Sequence, residues 1–232
     1  GSREQAMSAA IAVEFIHCFS LVHDDLPSID DDKLRRGKPT LHIHAGEAMA
    51  VLAGDLLLPL AFQQLSKGKY DSKQQVCLMN ELATATRNMV VGQVYDTLGG
   101  LPSHLSPIDG LEVIHQNKTG SLFQCACVMG AISGNASAEQ LKAIEQFGQA
   151  TGLMFQIVDD LIDLQGEEEH VGKATRKDAG AGKMTYPGII GVDGSKEAVL
   201  YLKQQADTAL STLGMEGETL RSFNLWMAHR TR

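Results

Sequence analysis

Two clusters of aspartates are the features of this sequence most able to do chemistry. Residues 24–32 contain five aspartates, and Asp24 and Asp25 close an apolar segment with helical spacing. They therefore stand at a helix C-terminus, where the macrodipole disfavours negative charge, and this placement suggests a compensating cation. Aspartate oxygens are hard ligands suited to Mg²⁺, and arginines offer planar forks for phosphate. Four basic residues follow at once: Lys33, Arg35, Arg36 and Lys38.

The second cluster, Asp159, Asp160 and Asp163, has apolar residues on both sides. On a helix, Asp159 and Asp163 would be neighbours at i, i+4, and like charges at that spacing repel each other. Within an apolar helix such charges are costly unless a metal binds them. A solvated surface could explain either cluster alone, but two clusters on two helices could face each other and hold divalent ions, which could hold a diphosphate. A second basic group follows: Lys173, Arg176, Lys177 and Lys183.

The composition argues against several other classes of protein. The chain has 232 residues, of which 44% are hydrophobic and 21% charged, as in ordinary globular proteins. The formal net charge of −8 argues against nucleic acid as a partner, because neutralising phosphates needs a basic surface. Glu14, Asp55 and Pro59 interrupt the two apolar runs, so we expect no membrane insertion. The cysteines are interpreted as reduced core thiols of a cytoplasmic protein: Cys18, Cys77, Cys125 and Cys127.

The segments that must position these residues have helical spacing almost throughout. We expect helices over about residues 5–25, 46–66, 72–98, 107–131, 138–165, 195–213 and 217–229. Three of these segments begin with capping patterns, at Asp71, Ser106 and Ser137. We find no convincing alternating strand pattern, no repeat and no composition shift. The sequence therefore predicts one all-α domain over residues 1–232.

Further short motifs accompany the clusters: Gly54-Asp55, Gly92-Gln93, Lys118-Thr119-Gly120, Phe155-Gln156, Gly172-Lys173 and the run from Gly182 to Pro187. Four residues separate the pair Asp24-Asp25 from Asp30. In order and spacing these motifs resemble those of the trans-isoprenyl diphosphate synthases (the polyprenyl synthetase family), of the short-chain bacterial type. The resemblance implies a single-domain antiparallel helical bundle around a central cavity, and a homodimer. It also implies preceding helices that bind isopentenyl diphosphate, which we expect this chain to lack.

The activity implied by the resemblance is head-to-tail condensation of isopentenyl diphosphate with an allylic diphosphate, dimethylallyl or geranyl. The allylic diphosphate ionises, the double bond of isopentenyl diphosphate attacks the cation, and a proton leaves. Three Mg²⁺ ions would stabilise the departing diphosphate. Asp24 and Asp30 would hold two of them and Asp159 the third. The remaining aspartates would be direct or water-mediated ligands: Asp25, Asp160 and Asp163.

The resemblance also implies which side chains bind the two substrates. Arg35, Lys118 and Lys173 would grip the allylic diphosphate, and Lys183 is a weaker candidate for the same group. Arg36 would face the isopentenyl diphosphate. Each of these cations is a donor suited to phosphate oxygens.

Two oxygen-bearing side chains would face the allylic cation, namely Thr119 and Gln156. Gly120 is a plausible reason for the helix to loosen beside Thr119 and free a carbonyl. No dedicated catalytic base is evident, since in the family the released diphosphate takes the proton. We therefore expect structural or surface roles for the histidines outside the first cluster: His17, His42, His44, His104, His115, His170 and His229.

Product length would be set by the floor of an apolar pocket below the first cluster. Phe19, with Ser20, lies five residues before Asp24, which is about 7.5 Å along a helix. By the resemblance, a bulky aromatic there goes with stopping at farnesyl diphosphate. Phe19 could instead be an ordinary core residue, and a geranylgeranyl diphosphate synthase is the alternative within the class.

Other classes of protein are less consistent with these residues. A class I terpene cyclase would share an aspartate-rich motif and the helical fold, but its second metal site normally mixes other ligand types. A non-catalytic partner subunit of another prenyl synthase would tend to have lost one acidic cluster, and both are intact here. A structural protein without a ligand would leave the acidic residues in apolar surroundings unexplained.

Overall fold

The computed structural model describes residues 1–170 and 184–230, apart from the side chains of residues 165–170. Helices make up nearly all of this part of the chain, so the predicted all-α class is confirmed. The chain divides into two compact units, the first formed by Gly1–Thr86 with Val128–Ala136 and the second by Arg87–Cys127 with Ser137–Arg232. The single domain over residues 1–232 remains a prediction.

The first unit contains the first acidic cluster. Its elements are α1 (Arg3–Asp24), β1 (Leu34–Arg35), β2 (Lys38–Pro39), α2 (Leu41–Ala45), α3 (Glu47–Ser66) and the beginning of α4 (Ser72–Leu98).

The second unit contains the second acidic cluster and begins within α4. Its other elements are α5 (Pro107–His115), a π-helical turn (Gln116–Gly120), α6 (Ser121–Ser133), α7 (Ala138–His170), α8 (Tyr186–Leu210), a 3₁₀ helix (Ser211–Gly217) and α9 (Glu218–His229). The residues of α6 from Val128 onward belong to the first unit.

Small residues let α1 and α3 pack closely in the first unit. Ala9 and Ala50 are almost completely buried in this packing. A Cβ atom added to Gly54 would lie 2.1 Å from Nε2 of His23, so glycine at residue 54 leaves room for the His23 ring in its present position. The His23 ring also hydrogen-bonds to the carbonyl oxygen of Val51, at 3.1 Å. These contacts fix the last turn of α1, where the first acidic cluster begins.

A short β-hairpin follows this cluster, although the sequence analysis expected no strand. Leu34 pairs with Pro39 and Arg35 with Lys38, and Arg36 and Gly37 form the turn. Both turn residues have positive φ, 52° and 74°, as a type I′ hairpin turn requires. Strands of two residues are too short to show any alternation of apolar and polar side chains, which is why the pattern gave no signal.

The three predicted helix caps are all present. The backbone N–H of Gln74 donates to Oδ1 of Asp71 at 2.8 Å, and Ser137 receives the N–H of Gln140 at 3.2 Å. The hydroxyl of Ser106 accepts the N–H of Asp109 at 3.3 Å. The helix from Ser72 to Leu98 matches its predicted bounds. The predicted helix over 107–131 is continuous except that Gln116–Gly120 widens into a π turn.

The helix predicted to begin at about residue 195 begins earlier, at Tyr186. Thr185 caps it by accepting the N–H of Gly188 on its hydroxyl at 3.2 Å. Gly191 interrupts the helical geometry with a φ of 76°. Glycines have low helix propensity, so this first part of α8 gave no recognisable helical pattern in the sequence.

The core of the second unit is formed mainly by α7 and α8, with contributions from α5 and α9. The buried side chains in this cluster are Leu111, Leu153, Met154, Ile157, Val158, Tyr186, Val199 and Met227. The apolar residues of α7 that flank the second acidic cluster therefore face a packed interior. This packing fixes the orientation of the helix turn that carries the aspartates.

Two helices, α1 and α3, are long and apolar enough to count as candidate membrane spans, with a mean hydropathy of 1.5 in each. A single acidic residue such as Glu14 or Asp55 interrupts an apolar run but lowers the mean hydropathy of the helix only slightly. Core helices of soluble proteins pass the same test, so this finding is weak. The absence of membrane insertion remains a prediction. The four cysteines are free thiols, as predicted, but the predicted core position is wrong for Cys77, which is exposed on α4, whereas Cys125 is buried.

Candidate active site

The first acidic cluster is formed by the end of α1 and the loop that follows. Asp24 is the last residue of α1 and Asp25 is its C-cap, as the sequence predicts. The loop turns back toward the helix, because the N–H of Asp30 donates to the carbonyl oxygen of Asp24 at 2.9 Å. Asp30 is thus drawn back to the helix end that carries Asp24 and Asp25, where the dipole favours a bound cation.

Asp25 is buried and is paired with Arg35 from strand β1. Nε of Arg35 donates to both carboxylate oxygens of Asp25, at 2.9 and 3.0 Å, and Nη2 donates to Oδ1 at 2.5 Å. The hydrogen bond to Asp25 raises the pKa of Arg35. The residue predicted to grip diphosphate is therefore held beside a predicted metal ligand, while Arg36 is exposed in the hairpin turn.

The second acidic cluster lies on α7, where Asp159, Asp160 and Asp163 share one turn. Asp159 is about one-third exposed and forms an ion pair with Arg230, which follows α9. Burial raises the pKa of Asp159 above its ordinary value, and the charge of Arg230 opposes this shift. A partly buried carboxylate among apolar residues is thus already matched with a cation.

Asp160 is more deeply buried than Asp159 and is held by the start of α8. The backbone N–H of Tyr186 donates to Oδ2 of Asp160 at 2.9 Å. Nε2 of His115 lies 3.6 Å from the same oxygen, and the His115 ring stacks on that of Tyr186. Tyr186 donates its hydroxyl to Glu112 at 2.9 Å. Burial and the neighbouring carboxylates raise the pKa of Tyr186 far above its usual range, so this hydroxyl remains a donor.

The π turn presents the predicted Lys118-Thr119-Gly120 motif. The predicted loosening of the helix at this place is confirmed, since Gln116–Gly120 has π-helical geometry. Thr119 donates its hydroxyl to the side-chain oxygen of Gln156 at 2.8 Å, so the two predicted oxygen-bearing residues lie together. A Cβ atom at Gly92 would lie 2.2 Å from the backbone N of Lys118. Glycine there lets α4 approach the widened turn.

Lys118 is paired with an aspartate that the sequence analysis did not single out. Nζ of Lys118 lies 2.5 Å from Oδ2 of Asp96 on α4, and both side chains are mostly buried. Asp96 follows the Gly92-Gln93 motif by three residues, which is one helical turn. This spacing was the available signal for Asp96.

Three more residues of the site were missed or given another role. Arg230 was not singled out, and a lone arginine after a short amphipathic helix offered little signal. His115 was expected to be structural or on the surface, and the structure places it in the interior against Asp160. Tyr186 lies in the run from Gly182 to Pro187, but this motif predicts no role for its side chain.

The two residues predicted to limit product length, Phe19 and Ser20, both lie on α1. Phe19 is buried, with its ring edge-on to that of His23 at a centroid distance of 5.0 Å. The hydroxyl of Ser20 donates to the carbonyl oxygen of His17 at 2.9 Å. Lys173 and Lys183 lie outside the described residues. The predicted opposition of the two acidic clusters, which belong to different units, remains a prediction.

The donor chemistry of both clusters fits Mg²⁺, because carboxylate oxygens are its preferred protein ligands. Within residues 1–164 and 184–230, no three carboxylate, imidazole or thiol groups converge tightly enough to hold an ion by themselves. Instead Arg35 holds Asp25 and Arg230 holds Asp159. A metal ion that binds the same carboxylate oxygens would compete with these guanidinium groups.

Comparisons with known proteins agree with this arrangement. Residues 1–212 match the family described as polyprenyl synthetase. Geranylgeranyl pyrophosphate synthase 4 of Arabidopsis thaliana is 44% identical over 209 residues, which is 89% of this chain and 56% of that protein. The apo crystal structure of an FPP/GFPP synthase from Zymomonas mobilis has a TM-score of 0.84 at 35% identity, covering 98% of this chain and 77% of the other. The structure of a geranyltransferase from Helicobacter pylori, complexed with magnesium and isoprenyl diphosphate, has a TM-score of 0.79 at 31% identity, covering 97% and 73%.

The fold and the two acidic clusters define an all-α protein of the isoprenyl synthase type. Since the match extends over residues 1–212, the chain belongs to the polyprenyl synthetase family. It spans 56% to 62% of the length of the geranylgeranyl pyrophosphate synthases of Arabidopsis thaliana that it matches.

Proposed function

We propose that this protein is a Mg²⁺-dependent trans-prenyltransferase. It condenses isopentenyl diphosphate with dimethylallyl or geranyl diphosphate by ionisation, condensation and elimination. The observation that carries this proposal is the matching of carboxylates with cations at both clusters. Asp25 is paired with Arg35, and Asp159 with Arg230, and both pairs are largely withdrawn from water. Groups of this kind suit a ligand that brings both negative oxygens and metal ions.

The costly step is cleavage of the allylic carbon–oxygen bond, which builds negative charge on the leaving diphosphate. Mg²⁺ bound at the aspartates, three ions by the family resemblance, would neutralise part of that charge. Arg35 and Lys118 would donate further N–H groups to the diphosphate oxygens while Asp25 and Asp96 hold them in place. Their fixed charges contribute most when they are held in place before the bond breaks.

The hydrogen-bonded pair of Thr119 and Gln156 would face the allylic cation. Thr119 uses its proton for Gln156, so the remaining lone pairs of both oxygens are available to a positive charge. No histidine is needed as a base, since the released diphosphate can accept the proton. Support for the substrates comes from the Helicobacter pylori geranyltransferase, which is complexed with magnesium and isoprenyl diphosphate.

Farnesyl diphosphate is the product that we propose, and geranylgeranyl diphosphate is the alternative. Buried Phe19 near the first cluster supports the shorter product. The curated relatives are named geranylgeranyl pyrophosphate synthases, which favours the longer one. Chromatography of the reaction products distinguishes farnesyl diphosphate from geranylgeranyl diphosphate directly.

The test is incubation of the purified protein with labelled isopentenyl diphosphate and each allylic primer, with and without Mg²⁺. We expect Mg²⁺-dependent release of diphosphate and a labelled short-chain product. Asp24→Asn and Asp159→Asn should each lower the rate by about two orders of magnitude or more. Asp193→Asn, which changes an exposed aspartate on α8, should leave the rate unchanged. A near-normal rate in either cluster variant, or labelled product without metal, would contradict the proposal.

We also propose that the protein is a homodimer and that it is located in the cytoplasm. Support for the homodimer comes from α3, where four large apolar side chains are exposed: Met49, Val51, Leu52 and Leu56. Leu52→Glu should shift the mass measured by light scattering from dimer to monomer. Leu200→Glu, at a similarly exposed leucine on α8, is the matched control and should not. Binding of the wild-type protein to lipid vesicles would indicate that a membrane covers α3 instead.

A further inference from the structure

Arg230 is built into the second acidic cluster by three contacts. Its Nη2 donates to Oδ1 of Asp159 and, at 3.4 Å, to the carbonyl oxygen of Phe155. Its Cζ lies 4.1 Å from the centre of the Phe155 ring, which is a cation–π contact. Phe155 and Asp159 are one turn apart on α7, so the guanidinium rests on the first and reaches the second. The side chain is only 11% exposed.

The position of Arg230 is fixed by the fold around it. Met227, one turn earlier on α9, is 2% exposed and belongs to the same core cluster as Ile157 and Val158 of α7. Arg230 follows α9 directly and is its C-cap. Because α9 packs against α7, the guanidinium of Arg230 is positioned beside Asp159 by the core of the second unit.

The guanidinium also has hydrogen-bonding capacity to spare. Its Nε is buried and has no hydrogen-bond partner among the described residues. A buried charged donor without an acceptor is unfavourable, and a phosphate oxygen would satisfy it. Arg230 can thus serve two anionic partners in turn, a carboxylate and a diphosphate.

We propose that Arg230 is the resident cation of the second acidic cluster. It neutralises Asp159 while metal is absent, and it moves to diphosphate oxygens when metal takes that carboxylate. A metal ion that arrives alone must leave a buried guanidinium unpaired, whereas a metal ion that arrives with diphosphate supplies a new partner. The cluster therefore binds metal well only together with a diphosphate. This inference rests on the proposed function, because it takes Asp159 as a metal ligand.

The test is Mn²⁺ binding at pH 8, measured from the electron paramagnetic resonance signal of the free ion. Wild type, Arg230→Gln and Arg230→Lys are compared with and without inorganic pyrophosphate, using protein-free mixtures as the reference. Without pyrophosphate, Arg230→Gln should bind Mn²⁺ about tenfold more tightly than wild type, and Arg230→Lys should resemble wild type. With pyrophosphate, the advantage of Arg230→Gln should disappear or reverse.

Arg221→Gln is the matched control, since it removes the same charge from α9 at a pair with Glu218. Its Mn²⁺ affinity should stay within twofold of wild type, and circular dichroism would establish that every variant is folded. Equal or weaker Mn²⁺ binding by folded Arg230→Gln without pyrophosphate would overturn the inference. If the proposed function itself is wrong, a different result is expected. The single variant Asp159→Asn would then bind Mn²⁺ as tightly as wild type, both with and without pyrophosphate.

Discussion

At the scale of single residues, each of the two units contains mostly buried charges that are matched with one another. Asp25 is 4% exposed at a helix end, where a lone carboxylate would be strongly unfavourable. The bonds from Arg35 compensate that cost, and Lys118 and Asp96 compensate each other in the same way. Such pairs hold charged side chains in fixed positions without requiring a ligand.

Removing the Arg35 guanidinium should therefore destabilise the fold. Arg35→Gln leaves the buried Asp25 carboxylate without its cation, and we expect a loss of about 2 kcal/mol in the free energy of unfolding. The value lies below that for a fully buried pair because the Arg35 side chain is one-third exposed. Urea denaturation measures the change.

The neighbouring Arg36 provides the control, since it is exposed in the hairpin turn. Arg36→Gln should change the free energy of unfolding by less than about 0.5 kcal/mol. The double variant Asp25→Asn with Arg35→Gln should recover part of the loss, because no charge is then left buried. Equal stabilities for Arg35→Gln and Arg36→Gln would show that the pair does not support the fold.

At the scale of elements, the π turn is the feature that positions Thr119 and Lys118. Glycines on two other helices make room for it, because a Cβ at Gly92 would lie 2.2 Å from Lys118 and a Cβ at Gly152 would lie 2.7 Å from Cα of Gly120. Both contacts are with backbone atoms, which cannot rotate away. The widened turn and its two glycine contacts thus form one packing unit.

Gly92→Ala should disturb this unit. We expect a loss of about 1–3 kcal/mol in stability from overpacking, together with a lower turnover because Lys118 and Thr119 shift. Gly130→Ala on α6 is the control, since nothing lies within 4 Å of a Cβ added there, and it should be neutral or slightly stabilising. Thermal unfolding and steady-state kinetics measure the two effects. A Gly92→Ala variant as stable and active as Gly130→Ala would contradict the close packing.

Most of the helical framework could be predicted from the sequence because helix ends carry local signals. The caps at Asp71, Ser106 and Ser137 are set by side chains three residues away or fewer. The loosening at Gly120 also had a local cause. The glycine-rich start of α8 and the hairpin at Arg36 lacked such signals, because a positive-φ turn and two-residue strands produce no periodic pattern.

The aspartates of the candidate site could be predicted from their unusual setting, whereas the distant partner of Asp159 could not. A carboxylate in an apolar helix is anomalous in the sequence itself, as with Asp159. The cation that compensates it, Arg230, is 71 residues away and is brought there only by the packing of α9 on α7. Long-range pairings of this kind depend on the whole fold and leave no local trace.

At the scale of the whole molecule, a protein with a net charge of −8 is proposed to bind substrates that are themselves anionic. Local cations and bound metal must therefore outweigh the overall charge at the site. The product is then limited by the apolar space available below the reacting end of the chain. Phe19 is the side chain proposed to limit that space.

Phe19→Ala should lengthen the products, because removing the ring opens space about 7.5 Å along α1 from Asp24. Product chromatography with dimethylallyl and geranyl primers measures the change, and Phe19→Leu should give an intermediate distribution. Phe147→Ala, at a ring that is 1% exposed in the second unit, should destabilise the protein by about 3–5 kcal/mol without changing product length. Unchanged products from an active Phe19→Ala variant would show that Phe19 is an ordinary core residue.

The most direct measurement is the anomalous diffraction of Mn²⁺ in crystals soaked with the ion and a non-ionisable allylic diphosphate analogue. We expect anomalous peaks within about 2.5 Å of carboxylate oxygens in both clusters of the same molecule, with the analogue's phosphate oxygens on the same ions. We also expect Arg230 to have left Asp159 for the analogue. Ions at neither cluster, or an analogue bound away from both, would show that the clusters do not form a metal–diphosphate site.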